Sequence, residues 1–96
     1  MHSTLGELVQ DIASVPKGLT VYAAQSPAQL TSDSVIELLD DGADARPDLT
    51  YVLEVELIRD VIETWSQWRG GRTPSVDEAV QAVAYYADND AYLTTE

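Results

Sequence analysis

TYVLEVELIRDVIETWSQWRG, residues 50–70, changes its period partway along. Tyr51, Leu53 and Val55 alternate with Val52 and Glu54, the pattern of a strand that buries one face. From Glu56 onward, Leu57, Ile58, Val61, Ile62, Trp65 and Trp68 recur every three or four residues, as on an amphipathic helix. Arg59, Asp60, Glu63, Ser66 and Gln67 lie away from that stripe. A strand is therefore expected over 51–55 and a helix over 56–69. Glu56 near its start and Arg69 near its end match the signs that the helix dipole prefers. Gly70-Gly71 stops it. Both tryptophans of the chain fall in this stretch, so the core is expected to be built around it.

Downstream, Ser75 and Glu78 have the spacing of a capping box, and Asp77 adds negative charge to the same first turn. The helix they open buries Val76, Ala79, Val80, Val83, Tyr86 and Ala87. Asp88-Asn89-Asp90 ends it, because Asp and Asn tolerate left-handed backbone. The short link through Gly70, Gly71 and Pro74 makes these two helices an antiparallel hairpin. Ala91-Tyr92-Leu93 either adds an edge strand or packs back.

Upstream, Thr4 and Glu7 form another capping-box pair, opening a helix over residues 4–14 that Val15-Pro16 ends. Gly6 weakens that helix a little. Residues 19–24 read as a strand with Leu19, Val21 and Ala23 on one face. Residues 25–31 read as loop. Residues 33–40 fit either a helical turn or a strand, and the β-branched pair Val35-Ile36 favours strand. Residues 40–48, DDGADARPD, are the clearest loop. The strands lack the βαβ alternation of a doubly wound sheet. The expected fold is α+β, in a single domain over residues 1–96. A small, mainly antiparallel sheet of three to four strands carries about three helices, including the C-terminal hairpin.

Charge is the strongest global signal: 17 acids oppose 5 bases, for a net −12. Each half of the chain carries −6, with eight acids and two bases in residues 1–50 and nine acids and three bases in 51–96. Such a field repels nucleic acid and anionic lipid and steers basic partners. Nucleic-acid mimicry by carboxylates remains an alternative. The chain has no Cys, which removes disulfides, thiolate metal sites and Cys nucleophiles, and its single His is His2. The first residues lack a basic stretch followed by an apolar run, so no leader is expected. No run is long enough for a membrane span, and a cytoplasmic location is expected.

Two constellations stand out. The first is acidic: Glu37, Asp40, Asp41, Asp44 and Asp48. Against a calcium loop, Gly42 comes too early and the closing glutamate is missing, so no metal is expected. A solvated loop is the plain reading; a grip on a basic partner protein is the functional one. The second is a secondary candidate interface, Trp68, Arg69, Arg72 and Tyr85: with Trp65 the indoles and guanidiniums could stack on a ligand or partner, and exposed Trp68, Tyr85 and Tyr92 would serve a homodimer. The plain reading there is a core stripe with Arg69 neutralising a helix end. No nucleophile elbow, phosphate loop or dinucleotide fingerprint occurs, so neither an enzyme nor a cofactor is expected.

The run Leu-Thr-Tyr-Val-Leu-Glu-Val at 49–55 leads into Asp60-Val61-Ile62, and Ala84-Tyr85-Tyr86-Ala87-Asp88-Asn89-Asp90-Ala91 follows. Over residues 49–92 this resembles a group of small uncharacterised bacterial domains in which a Tyr-Tyr helix ends in Asp-x-Asp-Ala. In composition the chain also resembles the acidic immunity proteins that block bacterial toxins. That likeness implies a non-enzymatic, immunity- or antitoxin-like domain docking on a basic surface.

Overall fold

The computed structural model describes residues 4–16, 18–40 and 48–92. In chain order these form α1 (Leu5–Gln10), β1 (Leu19–Ala23), β2 (Ile36–Asp40), β3 (Thr50–Glu54), α2 (Val55–Gln67) and α3 (Val76–Asn89). Two short 3-10 turns, Ile12–Ser14 and Pro27–Gln29, complete them. The strands make one antiparallel sheet in the order β2-β1-β3, with α2 and α3 packed against it and α1 packed on α3. The fold is the expected α+β, with three strands.

Both capping boxes form. Glu7 N–H donates to Thr4 Oγ1 (3.3 Å), and Thr4 N–H donates to Glu7 Oε1 (3.0 Å). Glu78 N–H donates to Ser75 Oγ (3.2 Å), and Ser75 N–H donates to Glu78 Oε1 (3.0 Å). Each box satisfies amides that the first turn leaves without helical partners. The far end of α3 also follows expectation: its cap, Asp90, is left-handed at φ 55°.

α1 is shorter than expected. It closes at Asp11, whose N–H is shared between Glu7 O and Leu8 O, and residues 12–14 continue as a 3-10 turn. The residue before Pro16 is extended, which the proline ring requires. Gly6 has a purpose beyond propensity. Its N–H donates to Ser32 O at 2.9 Å, and a Cβ there would lie 2.8 Å from that oxygen. Leu5 N–H donates to Ser34 O, so residues 32–34 cap the start of α1. Residues 25–31, expected as plain loop, contain the turn Pro27–Gln29.

β3 corrects the expectation of a strand with one buried face. Val52 and Leu53, adjacent in sequence, are both buried. The pairing with β1 slips between Val21↔Leu53 and Tyr22↔Tyr51, leaving Val52 as a bulge residue. A bulge breaks the alternation, so two successive side chains turn toward the core. Val55, expected as the strand's last residue, instead opens α2 directly, with Glu54 as its cap and no loop between.

α2 ends at Gln67, two residues early, because Trp68 through Gly71 form the turn; Gly70 and Gly71 have φ of 70° and 85°. The core joins Leu5, Leu8, Val21, Ile58, Val61, Trp65 and Val83 from all three helices and the central strand. Tyr92 is not in a strand; it packs back on Tyr86 and Trp68. Leu93 lies outside the described residues.

Candidate functional site

The acidic constellation is only partly placed. Asp41 and Asp44 lie outside the described residues. Asp48 is exposed just before β3, and Asp40 is the exposed last residue of β2, paired with Leu19. Glu37 sits mid-strand opposite Tyr22. Residues three apart on a strand point to opposite faces, so the sheet separates Glu37 from Asp40.

The face that Glu37 shares is the one turned away from the helices. Alternation along β1 sends Val21 inward and Tyr22 outward. The bulge then sends Tyr51 outward too, although Leu53 points in. The two tyrosine rings meet edge to face, 6.1 Å apart at 81°. Tyr51 is 46% exposed, and its hydroxyl donates to Glu54 Oε1 at 3.4 Å. Partial burial, with the Glu54 carboxylate adding to it, holds the Tyr51 phenol above its ordinary pKa. The outer face thus joins Tyr22, Tyr51, Glu37 and Glu54. The bulge that gathers Tyr51 into this set leaves no mark in a single strand's sequence; the outward position of Tyr22 was readable from alternation.

The second constellation divides. Trp65 is buried, with the guanidinium carbons of Arg69 and Arg72 at 4.3 Å and 4.6 Å from its ring centre. Arg69 also donates to Trp65 O at 3.0 Å, at the end of α2 where carbonyls lack helical partners. Arg72 bridges to both Glu78 oxygens at 3.2 Å, tying the turn to the first turn of α3. Ser75's amide, reinforced by Arg72, keeps the Glu78 carboxyl below its ordinary pKa. Trp65, Arg69 and Arg72 therefore close the helix hairpin. Trp68 is different: 54% exposed, with its ring edge against Tyr92 at 5.7 Å. Tyr85 is 39% exposed on another side of α3.

Arg59, read as a solvent-facing residue, has a structural task. Its guanidinium donates to Ile12 O (3.1 Å and 3.2 Å) and to Val15 O, fastening the end of the first helical segment to α2. All three described arginines thus belong to the helical layer. Lys17 and Arg46 lie outside the described residues. Among the described residues, no group of three or more His, Asp or Glu side chains is placed to hold a metal. No described helix is long and apolar enough to cross a membrane.

The chain belongs to a family described as a domain of unknown function (DUF7716), whose pattern matches residues 2–95. That match extends the resemblance to small uncharacterised domains over the first 48 residues as well, and it carries no likeness to immunity proteins. No curated protein and no solved structure matches the chain.

Proposed function

For this member of the DUF7716 family we propose a non-enzymatic, acidic protein-binding domain that docks on a basic partner, as immunity and antitoxin proteins do. The observation that carries the reading is the outer sheet face. Tyr22 and Tyr51 stand there beside Glu37 and Glu54, while the described arginines occupy the opposite layer. Tyrosines supply rigid contact area at low entropic cost, and carboxylates around them select a cationic surface. The net charge of −12 adds long-range steering at low salt. Asp48, exposed just before β3, is the rim contact proposed from the acidic loop; Asp40 pairs with inward-facing Leu19 and is not part of this face, and Asp41 and Asp44 lie outside the described residues. The inventory of one His and no Cys agrees with a role without catalysis.

The test is affinity capture from the native host at low and high salt. Wild type is compared with a variant carrying Glu37→Lys and Glu54→Lys. A basic protein retained by wild type at low salt and lost by the variant supports the reading; one encoded beside this chain adds the immunity role. Equal retention by both overturns the assignment to the sheet face.

A second reading rests on Trp68, whose exposure at the end of α2 suits self-association. A mass that rises with concentration in wild type but not in Trp68→Ser favours it.

A further inference from the structure

A groove of about 370 Å³ runs along α3 and shares no lining residue with the outer sheet face. One wall is the segment through Ala28, Leu30 and Ser32; the other is a ridge of α3 formed by Val80, Ala84 and Tyr85. The first wall is preformed: Gly6 N–H and Leu5 N–H hold Ser32 O and Ser34 O at 2.9 Å. The floor is apolar, with Leu30 and Val80 both buried.

Two carboxylates on α3 line the same groove, Asp77 in its first turn and Asp88 in its last. Eleven residues separate them, so they fall on one helical face roughly 16 Å apart along the axis. Asp77 is favoured where it stands, because a helix N-terminus welcomes negative charge. Asp88 is not: α3 has no basic residue in its last turn, and its carboxylate adds to the negative carbonyl end. Asp90, the left-handed cap two residues on, adds a further negative charge to that end of the helix. A cation arriving at that end relieves this repulsion.

We propose that this groove receives an extended peptide segment of a partner protein, with basic side chains four residues apart. An extended chain rises about 3.3 Å per residue, and positions i, i+2 and i+4 face the same way. Two lysines or arginines at i and i+4 then span about 13 Å, and their long side chains cover the rest to Asp77 and Asp88. A small apolar residue at i+2 lies over Val80 and Ala84. Tyr85, 39% exposed and lining the same groove, supplies an aromatic ring for the cation nearest Asp88. This site stands apart from the sheet face and does not depend on it.

The probe is the peptide Lys-Ser-Ala-Ser-Lys, titrated into the isotope-labelled full chain by NMR. Shift changes are expected in residues 28–32 and along α3. Asp77→Asn with Asp88→Asn is expected to weaken binding by about fivefold or more. Glu56→Gln with Glu63→Gln removes the same charge from α2 and is expected to change it by less than about twofold. Ala28→Trp, which fills the groove at its rim, is expected to abolish the shifts. Asp88→Asn alone, which relieves repulsion, is expected to weaken binding while unfolding no more readily than wild type, which separates lost binding from lost folding. Equal weakening by both double variants, or shifts centred on Tyr22 and Tyr51, overturns the proposal. So does a linear polyamine that binds as tightly as the peptide, which would make the groove a small-amine site.

Discussion

The two faces of the sheet differ in what holds their side chains in place. On the inner face, Val21 and Leu53 are buried in one core with Ile58 of α2 and Val83 of α3, and their positions follow from packing. On the outer face, Tyr22 and Tyr51 hold each other edge to face, with Glu54 taking the Tyr51 hydroxyl. The first face holds the fold; the second is supported by the fold and contributes little to it. Of substitutions in these two faces, those that cost stability should therefore cluster inside, and those that cost only the proposed docking on a basic partner should cluster outside.

The sharpest way to break that contrast is Ile58→Ala. Ile58 is fully buried in α2, and its loss is expected to cost about 2–5 kcal/mol in urea unfolding. A cost below that of the outer-face variants would reverse the assignment of the two faces. Next is Arg59→Met, which leaves the Ile12 and Val15 carbonyls without their charged donor. A loss of about 1–3 kcal/mol is expected, accompanied by faster amide exchange in residues 12–15. For the outer face, a double-mutant cycle on Tyr22→Ala and Tyr51→Ala is expected to give a coupling of about 0.5–1.5 kcal/mol. No coupling would mean that the rings do not hold each other in solution.

The smallest effect is a pH dependence. Glu78 has a folded-state pKa below its ordinary value of 4.5. The stability it contributes is present above that unfolded value and is lost as pH falls through the folded one. Glu78→Gln should therefore narrow the difference in urea midpoint between neutral and acid solution. An unchanged difference would remove Glu78 from the acid response.

The parts of the fold written locally were legible in the sequence. A Thr or Ser followed three residues later by Glu needs no distant partner, and both capping boxes are where that spacing put them. The left-handed Asp90 and the Gly70-Gly71 stop are of the same kind. What escaped depends on a second segment. The β3 bulge exists only relative to β1, so an alternating pattern concealed it. Gly6 reads as a weak helix residue until Ser32 is placed against it. Arg59 lies off the apolar stripe, and periodicity does not reveal that the end of the first helical segment passes beside it. For the site, strand alternation alone separates Glu37 from Asp40, while the pairing of Tyr22 with Tyr51 required the bulge.

The direct passage from β3 into α2 leaves the helix no rotational slack. Each residue of an α-helix advances about 100° around its axis. One residue inserted between Glu54 and Val55 would shift the phase of everything after it by that angle. Ile58, Val61 and Trp65 would then leave the interior together, and the arginines stacked on Trp65 would turn with them. The junction acts as an indexing joint: the strand's end sets the angle of the helix, and the core accepts one setting.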